Sequence, residues 1–233
     1  MRRAAPPTAP PRAAPALPRL SVAEIFYSLQ GEGGAAGYPF HFVRLAGCNL
    51  RCLWCDTENT ESRKLTVNQI LAELATLPPS ARVLVTGGEP LFQKASSALL
   101  RALCDHGYEV WMETNGSRDI AGLDRRVRIV LDLKAPSSGE EQRMLWGNLE
   151  HLKAGDELKV VVASRADYRW ARDLIRGLEP GPSVPVTFSP LMVRGRRSRN
   201  PSLGMARELA AWIMGDALPV RLQVQLHKLV GCP

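Results

Sequence analysis

The sequence predicts an α/β fold, a partial (open) β/α barrel of about six to seven mainly parallel strands. Two observations carry this expectation. From residue 20 onward, strand-like and helix-like segments alternate with short connections, and parallel strands require such crossovers. Residues able to do chemistry also recur just after the strand segments, where sheets of this class place their sites. Roughly seven strands are too few for a closed eight-unit barrel, so the barrel is expected to be open.

Residues 1–19 are rich in Pro, Ala and Arg, including Pro6, Pro7, Pro10, Pro11, Pro15 and Pro18. Such a segment buries too little apolar surface to offset its ordering entropy. A disordered extension at 1–19 is therefore expected before one domain at 20–233. His41–Ala46 reads as a strand. Thr66 reads as the N-cap of a helix that places Val67, Ile70, Leu71, Leu74 and Leu77 on one face, ended by Pro78–Pro79. Arg82–Thr86 is a strand broken by Gly87–Gly88. A helix with Phe92, Leu99, Leu100 and Leu103 follows and closes near Gly107. Tyr108–Glu113, Val127–Leu133 and Glu157–Val162 read as strands, with a helix near Ala166–Gly177. Val184–Phe188 and Val220–Val224 are the last strands, around a helix near Leu203–Met214.

Hydrophobic residues make up 45% of the chain and charged residues 23%, as in ordinary globular domains. No apolar run approaches a membrane span, and the first stretch lacks the apolar centre of a secretory signal. The net charge of +7 permits contact with nucleic acid or an acidic partner without indicating either. Arg194, Arg196, Arg197 and Arg199 form a basic cluster, read first as solvated surface and alternatively as a docking patch for an acidic electron donor.

The five cysteines are an odd number, which argues against a disulfide framework. Cys104 reads as a small core residue, and Cys232 has no evident partner. Cys48, Cys52 and Cys55 are spaced C-x3-C-x2-C after the His41–Ala46 strand. Thiolates so spaced can share an iron–sulfur cluster, and three of them leave one iron open to a small molecule. One alternative is a zinc ion with His41 as fourth ligand. Another is a redox pair of Cys52 and Cys55, which leaves Cys48 unexplained.

The cysteine spacing, followed by Gly87-Gly88-Glu89-Pro90 after the next strand, resembles the radical S-adenosylmethionine (SAM) superfamily. The resemblance implies a [4Fe–4S] cluster whose open iron chelates SAM, and reductive cleavage of SAM to an adenosyl radical. Phe26–Gly33, Phe42-Val43-Arg44-Leu45 and Gln225–Leu229 with Pro233 narrow it. Together, over residues 21–233, they resemble the 7-carboxy-7-deazaguanine synthase family of queuosine and 7-deazapurine biosynthesis. That family converts 6-carboxy-5,6,7,8-tetrahydropterin into 7-carboxy-7-deazaguanine with loss of ammonia, using Mg2+.

The resemblance also implies roles for single residues. Leu29, Gln30, Gly31 and Glu32 would line the carboxypterin, with Glu32 also counted as catalytic beside the cysteines. Arg44 would pair with the substrate carboxylate, as a planar fork of donors can. Thr86, His227 and Pro233 would also touch substrate. Trp54, Cys55, Asp56, Gly88, Glu113, Asp132, Leu133, Lys134 and Ser189 would bind SAM. Thr57 would give Mg2+ a hydroxyl oxygen, a hard ligand for a hard cation. The short Ser62–Lys64 stretch implies an open cluster face where a flavodoxin-like reductant could dock. A cytoplasmic homodimer without membrane or nucleic-acid partners is expected. The competing expectations are another radical enzyme, such as a glycyl-radical activase, and a non-catalytic zinc module.

Overall fold

The structure, a computed structural model, describes residues 18–55, 61–178, 184–192 and 203–233. Strand β1 (Arg19–Leu29) runs antiparallel to β2 (Pro39–Leu45) on one side and to β3 (Arg63–Thr66) on the other. Beyond β2, six strands continue in parallel: β4 (Arg82–Gly87), β5 (Glu109–Thr114), β6 (Arg128–Leu133), β7 (Glu157–Val162), β8 (Val186–Pro190) and β9 (Arg221–Leu222). The sheet has nine strands in the order β3-β1-β2-β4-β5-β6-β7-β8-β9 and does not close.

Helices α1 (Val67–Leu74), α2 (Ser96–Asp105), α3 (Arg165–Gly177) and α4 (Gly204–Gly215) cover the outer face, and α5 (Leu226–Val230) follows β9. Thr66 caps α1 as expected. Its hydroxyl accepts from Gln69 N, and the Thr66 N–H donates to Gln69 Oε1 in return.

Alternation along the strands sorts the core into two layers. Val43, Leu45, Val83, Val85, Met112, Leu131, Val160 and Phe188 face the helices and pack against Ile70, Leu99, Leu103 and Tyr168. Phe40, Phe42, Leu84, Trp111 and Val130 face inward and plug the lower barrel. Phe40 meets Trp111 edge-on at a centroid distance of 4.9 Å, and Phe26, packed against the plug, stacks on Phe42 at 4.8 Å. Residues above this plug therefore point into the upper mouth of the barrel.

The structure corrects several expectations. Arg19 belongs to β1 rather than to the tail, while residues 1–17 lie outside the described residues, as does the Arg194–Arg199 cluster. The stretch at 62–64 leads into edge strand β3. Phe92 lies in a 3-10 turn before α2. The last strand is only Arg221–Leu222. Cys104 is buried in the helix-side core, as expected. Among the described residues no helix is long and apolar enough to cross a membrane.

Candidate active site

At the C-terminal ends of the parallel strands lies a cavity of about 920 Å³. Its walls include Cys48, Cys52 and Cys55, Leu29–Glu32, Arg44, Trp54, Thr86, Gly88 and Glu113. Asp132, Lys134, Ser189, His227 and Pro233 line it as well. Three expected residues are not among them. Asp56 and Thr57 lie outside the described residues. Leu133 is in the helix-side core, because its neighbours Asp132 and Lys134 take the inward positions and alternation turns it outward.

The cysteine loop is tied to its surroundings by backbone and side-chain bonds. Leu53 N donates to Ser138 O at 3.0 Å, and Arg51 N to Glu140 Oε1 at 2.5 Å. Trp54 Nε1 donates to Ser137 Oγ at 3.2 Å, and that hydroxyl donates to Asp167 at 2.6 Å. Lys134 Nζ sits 5.7 Å from the Trp54 ring centroid and 2.9 Å from Asp132 Oδ2. Burial pushes the Cys52 thiol up, partly offset by the Lys134 ammonium.

Gly87 and Gly88 are pressed against the chain before Cys48. A Cβ on Gly87 would lie 2.0 Å from Leu45 O, and one on Gly88 2.4 Å from Gly47 O and 2.7 Å from Cys48 Cβ. The glycines thus let the β4 loop press onto the cysteine loop. Gly87 also holds φ at +133°, which a side chain would strain. Glu89, fully buried, does not reach the cavity. It accepts from Leu91 N, Asn115 N and the Thr114 hydroxyl, so it pins the end of β5 to the end of β4.

Directly above the aromatic plug, at the floor of the cavity, lies a buried polar layer. Lys159 forms an ion pair with Glu32, and Gln225 Nε2 donates to the other oxygen of that carboxylate. Burial pushes the Glu32 carboxyl up. Lys159, Gln225 and nearby His227 outweigh it, and the net value falls to about 2. Burial likewise opposes the Lys159 charge, but Glu32, Asp132 and Glu113 hold its ammonium well above the usual lysine range. Glu113 is different. Burial raises it, Lys159 only partly compensates, and Glu32 and Asp132 add repulsion, so it holds its proton more firmly than an ordinary carboxyl. Its Oε2 accepts from Thr86 Oγ1 at 2.8 Å. In register with Thr86, Arg44 pairs with Glu24 at 2.5 Å and lies 5.6 Å from the Phe26 centroid. The Ser189 hydroxyl donates to Gln223 O at 3.1 Å.

Lys159 and Glu24 go unremarked in the sequence, and Gln225 and Asn115 stand out there only as members of the Gln225–Leu229 and Glu113–Gly116 segments, with no role of their own; all four line the cavity. A lysine inside the Glu157–Val162 strand was the one available signal.

The donor set fits a cluster better than a single ion. Among the described residues, no three His, Cys, Asp or Glu side chains converge closely enough to hold one metal ion. A cluster needs no such convergence, because each thiolate binds its own iron. His41, the candidate fourth zinc ligand, is buried away from the thiols, with Nε2 2.7 Å from Pro78 O. The three thiols form no disulfide.

The family model described as Radical SAM superfamily matches residues 43–147. The chain is 41% identical over 222 residues to a 7-carboxy-7-deazaguanine synthase of Koribacter versatilis, covering 92% of this chain and 98% of that protein. It is 40% identical over 220 residues to the enzyme of the same name from Chlorobaculum tepidum, covering 92% and 95% respectively. Among solved structures, it resembles QueE from Escherichia coli with a TM-score of 0.69, at 23% identity, over 90% of this chain and 95% of that one.

Proposed function

The chain belongs to the 7-carboxy-7-deazaguanine synthase family of radical SAM enzymes, and from that membership we propose how its residues divide the work. The substrate is 6-carboxy-5,6,7,8-tetrahydropterin. The product is 7-carboxy-7-deazaguanine, formed by ring contraction with loss of ammonia, a lyase reaction. One observation carries the assignment: a single cavity holds three thiols on one wall and, below them, a carboxylate kept ionised by a buried lysine.

Cys48, Cys52 and Cys55 would hold a [4Fe–4S] cluster. When bound, the cluster supplies the single electron that turns SAM into a hydrogen-abstracting agent. Gly88, Trp54, Asp132 and Lys134 line the SAM side, beside the cysteine loop.

Arg44 takes the substrate carboxylate on its guanidinium while Glu24 and Phe26 keep the fork oriented. Glu32 accepts from the pterin amino and ring N–H groups. Lys159 keeps it charged, and Gln225 keeps it aimed. Gln30 offers both a donor and an acceptor to the pterin edge. Thr86 donates to Oε2 of Glu113 and so fixes the orientation of that carboxyl in the cavity. His227 and Pro233, brought back by α5, wall the cavity against solvent. Thr57 would offer Mg2+ a hydroxyl oxygen, with substrate and water as the other ligands. The enzyme works as a cytoplasmic homodimer supplied with electrons by a flavodoxin-like donor.

Anaerobic reconstitution with iron and sulfide, followed by reduction and addition of SAM, Mg2+ and the carboxypterin, tests this. The expected result is a product with the mass of the deazaguanine acid, one ammonia per turnover, and no accumulation of 5′-deoxyadenosine. SAM cleavage without pterin turnover would overturn the substrate assignment. Thr57→Ala should weaken the Mg2+ dependence with cluster absorbance intact; loss of the cluster instead would refute the magnesium role. Sedimentation velocity of the full chain checks the dimer.

A further inference from the structure

We propose that Asn115 is a positioning residue that sets the reduction potential of the cluster, through a hydrogen bond from its side-chain amide to the Cys48 sulfur. The inference rests on the cluster assignment above and deepens it.

Asn115 is buried at the end of β5, and its Nδ2 lies 3.6 Å from Cys48 Sγ. A side-chain amide can be placed either way round, so its orientation needs an independent argument. Ser117 supplies it. The Ser117 backbone N–H donates to Asn115 Oδ1 at 3.0 Å, and the Ser117 hydroxyl donates to the same oxygen at 2.6 Å. A backbone N–H can only donate, so the amide oxygen faces Ser117 and the NH2 group faces the sulfur.

The hydroxyl proton of Ser117 is then committed, and its oxygen accepts from Asn49 Nδ2 at 2.8 Å. Asn49 is the chain neighbour of Cys48. The bonds therefore close a ring from the cysteine loop to the β5 loop and back. The Asn115 backbone is fixed as well, since its N–H donates to the buried Glu89 at 2.7 Å. Gly88 packs against Cys48 from the same side. Donor, acceptor and both loops are thus held before any cofactor arrives.

A donor on a cluster sulfur stabilises negative charge there. Reduction adds one electron to the cluster, so the bond favours the reduced form and raises the potential. Loss of the bond makes the cluster harder to reduce.

The test is a potentiometric titration of the anaerobically reconstituted full chain, with dithionite as reductant and the electron paramagnetic resonance signal of the reduced cluster as readout. Iron and sulfide per chain are measured first. Asn115→Ala should lower the reduction equilibrium constant at least tenfold, which is about 59 mV for a one-electron couple. Asn115→Asp, which replaces the donor by a negative acceptor, should lower it further. Ser117→Ala, which touches no ligand and removes one of the two bonds orienting the amide, should give a smaller drop. Unchanged midpoints in loaded variants overturn the proposal. If Asn115→Ala takes up no cluster, Ser117→Ala decides alone, and an unchanged midpoint there also overturns it. A wild-type chain that holds no cluster would instead refute the cluster assignment itself, so the two failures are distinguishable.

Discussion

Gly31 and His227 meet so closely that a Cβ on the glycine would lie 1.9 Å from the imidazole Nδ1. The Gly31 carbonyl also accepts from Leu226 N at 3.0 Å, and the Ser28 hydroxyl donates to Pro233 O at 3.1 Å. A five-residue helix such as α5 has too few internal bonds to hold itself, so its place on the cavity depends on this seat. Gly31→Ala should push α5 away and carry His227 and Pro233 with it. The KM for the carboxypterin should rise at least tenfold, about 1.4 kcal/mol. Iron content should not change, because the cysteine loop is elsewhere. Steady-state kinetics with parallel iron analysis would check this, and an unchanged KM would refute the seat.

The Glu32–Lys159 pair should behave as a buried ion pair whose halves depend on each other. Lys159→Met leaves an uncompensated carboxylate in the barrel, a loss of about 3–5 kcal/mol for such pairs. Its Glu32 should then titrate upward, because burial is no longer opposed by the ammonium. Adding Glu32→Gln to Lys159→Met should recover much of the stability but none of the turnover. The sign for the intact pair follows from the lowered carboxyl. Its stabilisation is full above the ordinary glutamate value of 4.5 and is lost as pH falls from there towards about 2. Urea melts of the wild type and these two variants at several pH values measure the coupling. Equal stability of the single and double variants would contradict it.

The strands that sequence could find are those buried on both faces. Val83–Val85 and Val160–Val162 are apolar runs because helices cover one side and the barrel plug or cavity the other. Strand β1 was not legible, because its register slips between Val22 and Glu24 and breaks the alternation. Strand β3 has four residues, half of them exposed. In the site, the cysteines and Gly87–Pro90 could be found because their chemistry is encoded by local spacing. Lys159 could not, since a single lysine between Leu158 and Val160 reads equally well as solvent-facing. Only the curvature of the sheet decides that this side is the inside. Leu133 was chosen because Asp132–Lys134 was taken as one block, whereas the cavity selects alternate residues.

Glu113 should give the opposite pH dependence to Glu32. A carboxyl raised in the folded state contributes stability that is full below its ordinary value of 4.5 and is lost as pH climbs through the folded value. Glu113→Gln keeps an oxygen to accept from Thr86 and removes the buried charge. The variant should therefore gain thermal stability over wild type at pH 8 and lose that advantage by pH 4. Differential scanning calorimetry across this range tests the sign, and a gain confined to acid would show that the Glu113 carboxyl is lowered, as an ion-paired carboxylate is, and not raised.

Arg44 already has a carboxylate partner in Glu24, and this constrains how it can recognise a second one. The bond to Glu24 uses Nε, which leaves the far edge of the guanidinium for the substrate. Lysine cannot do both, because its single ammonium lacks the planar fork. Arg44→Lys should thus raise the KM for the carboxypterin tenfold or more, with a smaller change in kcat. Glu24 is half exposed, so Glu24→Gln should cost less than about 1 kcal/mol of stability. The discriminating measurement is binding of a pterin that lacks the carboxylate. It should bind wild type and Arg44→Lys with the same weak affinity. A large difference between the two would mean that Arg44 contacts the ring, or only braces β1 against β2, and does not read the carboxylate.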